Sequence, residues 1–161
     1  MAKSSNKTQK FDEEKWPELT AFRDACIADD YDEMQRIAAR EYHWYENENP
    51  DDLPMEELAR IFQAQWYAQI GDLVSLQQVV AAYPWTANRP WTAQGWLPLS
   101  QAAQTHGCRE MVSYLIDNGA DPTLSVGSPD DRATIVEVAR YGENHELADW
   151  LLTVIDARDS G

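Results

Sequence analysis

The sequence predicts an all-α fold, a solenoid of stacked helical hairpins with projecting loops. Residues 108–119 carry the first observation, a set of apolar side chains at helical spacing: Met111, Val112, Leu115 and Ile116. Gly119 can take the left-handed conformation that ends a helix, and Pro122 cannot continue one. A shorter helical run lies upstream between Pro98 and Gly107. A short helix, a turn, a longer helix and a loop make one hairpin unit.

The second observation is that this unit recurs along the chain. Residues 134–152 and 59–84 repeat the pattern, and residues 16–41 hold two helical runs on either side of a turn. The turns fall at Asp29, Gly71, Gly107 and Gly142, at intervals of 42, 36 and 35 residues. Because one such unit cannot bury its apolar face alone, the recurrence predicts a stack of about four units.

These spacings predict one domain at residues 15–155, with units at roughly 15–50, 55–90, 91–125 and 126–155. Residues 1–14 begin with a polar run and predict a disordered tail, and residues 156–161 predict a short C-terminal tail. The sequence leaves open whether the first unit is a true repeat or a helical cap. No alternation is long enough to predict a β-sheet core.

The third unit resembles the ankyrin-repeat family. It offers the family's motifs in order: GWLPLS from Gly95 to Ser100, Ala102-Ala103, Gly107, Glu110-Met111-Val112 and Gly119-Ala120-Asp121. The family has Thr and His where this chain has Leu97 and Ser100, so we expect a weaker hydrogen-bond staple at that turn. One extra residue before Gly107 predicts a slightly irregular first helix. A tetratricopeptide stack, with a period of about 34 residues, fits less well because its turns lack Gly-Ala-Asp.

Charge and missing motifs argue against several classes of function. The formal net charge is −15, which repels phosphate backbones and anionic lipid and disfavours nucleic-acid or membrane binding. No apolar run approaches the roughly 18 residues of a membrane span. His106 lies two residues from Cys108, but two ligands alone are a weak signal for a metal. No nucleophile elbow, phosphate-binding glycine loop or HExxH motif is present, so we predict no enzyme, no metal and no cofactor.

Cysteine usage bears on the compartment. Cys26 and Cys108 lie far apart in the sequence, each within a helical pattern. We interpret them as two buried free thiols in a reducing environment. The first residues carry lysines with no apolar segment behind them, so they do not form a secretory signal. These features predict a cytoplasmic protein.

The resemblance implies that a protein partner is bound by the projecting loops and by the ends of the first helices. In this sequence the family's partner-contacting loop positions correspond to Gln94 and Trp96, ahead of the first helix of the third unit. Three residue pairs occupy the helix ends: Gln69-Ile70, Thr105-His106 and Arg140-Tyr141.

The segment from His43 to Glu57, called the acidic segment below, holds six acids and no basic residue. It is either a solvated, poorly ordered connector or a surface that pairs with lysines or arginines of a partner. The candidate contacts are Tyr45, Glu46, Glu48, Asp51 and Asp52. Like charges this dense repel one another and cost stability unless something offsets them, which favours the functional interpretation.

The second loop, residues 83–96, contains three of the seven tryptophans. Trp85 stands where the next unit has Gly-Ala-Asp, which predicts that it turns inward onto the helices. Trp91 and Trp96 lie further out, where they either contact the partner as interface anchors or pack between neighbouring loops. The third loop, residues 119–133, is small, polar and acidic, which predicts a flexible segment. Trp66 and Trp150 fall on apolar helical faces and predict core positions.

These features predict a protein-binding module that captures a basic protein and is monomeric when free. A small, strongly acidic binder suggests an inhibitor, such as an immunity-type protein that neutralises a toxin, since ankyrin-like units occur among such antidotes. One alternative is a nucleic-acid mimic that blocks a DNA- or RNA-binding protein and loses binding as salt rises. Another is an adaptor or chaperone for a secreted protein, whose complex contains more than two components.

Overall fold

The computed structural model of the protein describes residues 17–91, 95–105, 108–127 and 130–160, so the predicted tail and Gln94, His106 and Gly107 lie outside the described residues. The first half contains α1 (Pro17–Ile27), α2 (Tyr31–Arg40), α3 (Tyr42–Glu48), α4 (Met55–Ile70), α5 (Leu73–Ala82) and a 3-10 helix (Pro84–Asn88). The second half contains α6 (Pro98–Thr105), α7 (Arg109–Asp117), β1 (Ser125–Val126), β2 (Ala133–Thr134), α8 (Ile135–Tyr141) and α9 (His145–Ser160). Because both strands are two residues long, the prediction of an all-α fold is confirmed.

Helices pair into hairpins at the turns that the sequence marks. Gly71 ends α4 in the left-handed conformation, with φ of 79°, and Asp72 then caps α5 with its side chain. Asp29 takes a similar conformation between α1 and α2, with φ of 56°. Between α8 and α9 the left-handed residue is Glu143, with φ of 63°, one position after Gly142.

Gly142 has a different role, because its φ is −83° and any residue could adopt it. A Cβ atom at this position would overlap the main-chain carbonyl oxygen of Gln104 in α6. The neighbouring Asn144 donates its side-chain N–H to the carbonyl oxygens of Ala103 and Gln104, at 2.7 and 3.0 Å. The fourth hairpin is therefore fitted closely against the end of α6 at a position where only glycine leaves room.

The first helices of the last three hairpins stack side by side, in the order α4, α6, α8. Gln101 donates to the side chain of Gln65 at 3.2 Å, and the Thr105 hydroxyl lies 2.8 Å from the carbonyl oxygen of Gln69. Later residues of α6 thus meet later residues of α4, so the two helices run in the same direction. This is the arrangement expected of repeated units that follow one another.

The first hairpin packs in the opposite sense. Three contacts give its direction: Arg23 with Trp66, Cys26 with Gln63, and Asp29 with Arg60. Later residues of α1 meet earlier residues of α4, so α1 runs antiparallel to the helix on which it packs. This hairpin therefore covers the apolar end of the stack as a reversed helical cap, and it does not continue the register of the other three.

In the described residues of the connection between α7 and α8, two short strands pair where the sequence predicts a flexible loop. Strands β1 and β2 pair as an antiparallel hairpin in which Ser125 is opposite Thr134. Arg132 donates to the carbonyl oxygen of Ser125 at 2.6 Å and closes the base of the loop. The final helix also continues to Ser160, beyond the predicted limit of the domain at residue 155. Local hydrogen bonds, which composition does not reveal, account for the first difference.

Trp66 and Trp150 are half-buried rather than fully enclosed in the core. Each ring lies under a guanidinium group, that of Arg23 at 4.0 Å and that of Arg109 at 4.7 Å. The helical faces that carry these rings are therefore covered in part by the stems and heads of arginines.

The turn where a weaker staple was expected keeps a local hydrogen bond through serine. The Ser100 hydroxyl accepts from the main-chain N–H of Leu97 at 3.0 Å.

The two cysteines differ from each other in burial, since Cys26 is buried and Cys108 is half-buried, and both thiols are free.

Candidate functional site

The acidic segment is built on a short helix and a closed turn. It begins within α3 and leads into α4, and Asn49 stands between the two helices. The buried Asn49 amide donates to the Tyr45 hydroxyl at 2.8 Å and to the Leu53 carbonyl at 3.1 Å, and it accepts from the Leu53 N–H at 2.9 Å. This amide holds both ends of the turn, which favours the interpretation as a surface for a partner over that of a poorly ordered connector.

The predicted contact residues of this segment divide into exposed and supporting groups. Glu46, Asp51 and Asp52 are exposed, as is Glu56 at the start of α4. Tyr45 instead packs its ring against Phe22, with ring centroids 5.8 Å apart, and burial raises the pKa of its hydroxyl. Tyr45 thus positions the segment, while the carboxylates face solvent.

Glu48 ends α3 and turns inward to the second loop. Burial raises the pKa of its carboxyl from 4.5 to about 7, and the interaction with the Trp91 side chain offsets part of that rise. Trp91 in turn packs on Phe62 of α4, with ring centroids 5.1 Å apart. Glu48 therefore ties the acidic segment to the core and is not an open contact for a partner.

The outward interpretation of Trp91 and Trp96 is wrong, because both side chains belong to the buried core, where Trp91 packs on Phe62 of α4. Each side chain is only 3% exposed. The Trp91 main-chain N–H donates to the Trp96 carbonyl at 2.8 Å, and the Gly95 N–H donates to the Trp91 carbonyl at 2.7 Å. These bonds fold the loop back on itself and direct both rings inward. Gly95, with φ of 74°, is the sequence signal for that turn.

Trp85 also differs from its prediction, since it is 41% exposed rather than turned inward. Its ring lies beside that of Tyr83, with centroids 6.4 Å apart. Both rings border an open groove of about 460 Å³, which is the groove referred to below. The start of α4 forms its other wall through Glu56, Glu57 and Arg60, and Arg89 completes it. The groove thus continues directly from the acidic segment.

Charges within the groove are largely paired. Arg60 bonds Asp29 at 2.7 Å and lies over the Tyr83 ring at 4.6 Å. Arg89 bonds Glu57 at 2.6 Å, and its guanidinium group lies 5.5 Å from the centre of the Trp85 ring. The walls therefore combine aromatic faces with fixed ion pairs.

The helix-end positions implied by the family resemblance differ in their exposure to solvent. Ile70 and Tyr141 are exposed at the ends of α4 and α8. Arg140 is partly exposed and pairs with Asp149 at 2.9 Å. Thr105 is half-buried, and its hydroxyl donates to the Gln69 carbonyl of α4 at 2.8 Å, so it joins two helices and has little surface to offer. Of these positions, Ile70 and Tyr141 keep the accessibility that a contact requires.

The described residues offer neither a metal site nor a membrane span. Within residues 17–91, 95–105, 108–127 and 130–160, no three His, Cys, Asp or Glu side chains come together as a metal site. In the same described ranges, no helix has the length and apolar character needed to cross a membrane.

Stacked helical hairpins that present loops along one edge define the class of helical-repeat binding proteins. Residues 94–125 match the family model of the ankyrin repeat, which covers the third unit from the second loop to the end of the hairpin. One segment of the chain is therefore similar to an ankyrin repeat, and this repeat supports a role as a protein–protein interaction module. No curated protein and no solved structure matches the chain significantly.

Proposed function

We propose that the protein captures a basic protein partner through the acidic segment and the adjoining groove, and that it acts in the cytoplasm as an inhibitor. The observation that carries this proposal is the ordered presentation of exposed carboxylates. Glu46, Asp51, Asp52 and Glu56 project from a helix and a turn that the Asn49 amide holds in place. A net charge of −15 on the whole chain adds long-range attraction for a cationic surface.

The conformational order of the acidic segment matters because it sets the entropic cost of binding a partner. A flexible acidic loop would lose conformational entropy when it docks, at about 1–2 kcal/mol per residue fixed. A segment already held by Asn49 and by the inward contacts of Tyr45 and Glu48 has lost that freedom during folding. Folding also holds the like-charged acids of the segment close together against their repulsion, and a bound cation lowers that repulsion.

The proposed mechanism is occlusion. The acidic segment would cover a basic cleft of the partner, and long-range attraction would speed the encounter. An immunity-type protein that neutralises a toxin fits this mechanism, by analogy with the ankyrin-like units of such antidotes. In that case the partner would be one small basic protein, and the free inhibitor would be a monomer.

Affinity capture from the native host tests the proposal. The tagged protein is washed at low and at high salt, and mass spectrometry identifies what remains. A test variant removes four exposed charges of the segment: Glu46→Gln, Asp51→Asn, Asp52→Asn and Glu56→Gln. A control variant removes four exposed charges elsewhere: Glu110→Gln, Asp117→Asn, Glu146→Gln and Asp156→Asn.

The proposal expects one basic protein in stoichiometric amount, retained at high salt by the wild type and by the control variant and reduced with the test variant. Many nucleic-acid-binding proteins, all lost at high salt, would favour a nucleic-acid mimic instead. A complex of three or more components would favour an adaptor. Equal loss with both variants would show that total charge matters and that the acidic segment does not.

A further inference from the structure

The groove beside the acidic segment has one wall of carboxylates and one wall of aromatic rings. Glu56 and Glu57 belong to the first turn of α4, and Tyr83 and Trp85 follow the end of α5. The space between them is about 460 Å³, which is enough to admit a long side chain of another protein.

One carboxylate in the groove is only weakly engaged. Arg89 forms an ion pair with Glu57 at 2.6 Å, and Arg60 forms one with Asp29 at 2.7 Å. Glu56 lies 3.9 Å from Arg60 and keeps 67% of its side chain exposed. When Asp29 is counted, which pairs with Arg60 but does not line the groove, three carboxylates lie beside two guanidinium groups, and Glu56 is the carboxylate with the longest ion-pair distance.

The aromatic wall already accepts cations. Arg60 lies over Tyr83 and Arg89 lies near Trp85, each within 6 Å of the ring centre. The electron-rich face of an indole attracts a cation by about 0.5–1 kcal/mol at an exposed site, and more when the pair is desolvated. Trp85 is 41% exposed, so part of its ring is open to a second cation.

We infer that the groove receives a basic side chain of the protein partner, an arginine or a lysine, which lies against Trp85 and pairs with Glu56. The inference rests on the proposed function and names where the partner's charge is recognised. An acidic side chain would meet the weakly engaged carboxylate of Glu56. An apolar side chain would leave the Glu56 carboxylate and the fixed ion pairs without solvent.

Titration of the ¹⁵N-labelled full chain with a hexa-arginine peptide tests the inference, with a hexalysine peptide as a second probe. The readout is the set of tryptophan indole N–H signals, and a Trp85→Phe variant assigns the one from Trp85. A saturable shift of the Trp85 signal is expected. Trp85→Ala should weaken binding about tenfold, which corresponds to about 1.4 kcal/mol, and Glu56→Gln about threefold.

Glu110→Gln serves as the matched control, because Glu110 is an exposed acid in the first turn of α7 and does not line the groove. Its affinity for the peptide should equal that of the wild type. Glu56→Gln leaves Trp85 in place, so it keeps the test valid if Trp85→Ala disturbs the loop. An unshifted Trp85 signal, or equal losses for Glu56→Gln and Glu110→Gln, would overturn the inference.

The outcome is separable from that of the proposed function. Capture of a basic protein that survives Trp85→Ala and Glu56→Gln unchanged would remove the groove from the mechanism and leave the inhibitor proposal standing. A host that yields no specific basic partner would remove the inhibitor proposal, whatever the peptide does.

Discussion

The buried carboxyl of Glu48, the last residue of α3, interacts with the Trp91 side chain of the second loop, which lowers the pKa of that carboxyl against the larger opposing effect of burial. This pair joins the acidic segment to the loop that leads into the third hairpin. Burial makes the ionised form of Glu48 costly, so the pKa of its carboxyl rises from 4.5 to about 7. An acid placed in the most acidic part of the chain is thus partly neutral near physiological pH.

The raised pKa predicts that Glu48 makes the protein less stable as pH rises. The carboxyl binds its proton more tightly in the folded than in the unfolded chain, so its stabilising contribution is present below pH 4.5 and is lost between 4.5 and about 7. Glu48→Gln keeps an acceptor for Trp91 and removes the charge. Its free energy of unfolding should exceed that of the wild type at pH 8 by on the order of 2 kcal/mol, as measured by urea unfolding.

The comparison with pH 5 supplies the control. At pH 5 the folded wild type holds Glu48 mostly protonated, so the advantage of Glu48→Gln should shrink to a fraction of its value at pH 8. Glu46→Gln, at an exposed position of the same helix, should show no such dependence. An advantage of equal size at both pH values would contradict the burial of the Glu48 charge.

The hairpins could be predicted because their signals are local. Apolar spacing in α4 and α7 and the glycines at positions 71 and 119 act within one or two helical turns. The direction of α1 could not be predicted, because its apolar face buries equally well against α4 whether the helices run parallel or antiparallel. Only the specific partners, such as Gln63 for the Cys26 carbonyl, distinguish the two.

The candidate site was predicted only in part, for a related reason. The exposed acids around Asp51 follow from composition alone. The second loop contains a hydrogen bond between the Trp91 main-chain N–H and the Trp96 carbonyl, five residues apart, which composition does not reveal. Trp91 and Trp96 are buried and Trp85 is exposed, which is the reverse of what position within the repeat predicts.

Substitution of Gly142 should damage the contact between the third and fourth hairpins. A Cβ atom there would overlap the Gln104 carbonyl oxygen, which belongs to helical backbone and cannot move aside alone. Gly142→Ala should lower the free energy of unfolding by about 3 kcal/mol, the upper end for overpacking. Thermal unfolding followed by circular dichroism measures the change.

Gly119→Ala provides the contrasting variant. Gly119 has φ of 110°, but no atom lies within 4 Å of the position that a Cβ atom would occupy, so the cost of the substitution is conformational strain of about 1–2 kcal/mol. If Gly142→Ala proved no more damaging than Gly119→Ala, the close approach of Gly142 to α6 would be refuted.

Removal of the Asn49 amide should loosen the acidic segment. Asn49→Ala deletes the three hydrogen bonds of a buried amide and leaves the Leu53 N–H and carbonyl without that partner. We expect a loss of about 2 kcal/mol in the free energy of unfolding. Faster amide exchange should be confined to residues 42–54.

The exposed Asn47 on α3 gives a matched substitution. Asn47→Ala should change stability by less than about 0.5 kcal/mol and leave exchange in the segment unaltered. Equal protection of the segment in both variants would show that its order does not depend on Asn49.

Trp96 and Trp85 should respond to alanine substitution in opposite ways. Trp96 is 3% exposed and packs in the core, so Trp96→Ala should cost about 3–5 kcal/mol of stability. Trp85 is 41% exposed, so Trp85→Ala should cost less than about 1 kcal/mol. Urea unfolding followed by circular dichroism, which does not depend on tryptophan emission, compares the two midpoints. A Trp96→Ala variant as stable as Trp85→Ala would contradict the inward fold of the second loop and return Trp96 to the surface as a contact for the partner.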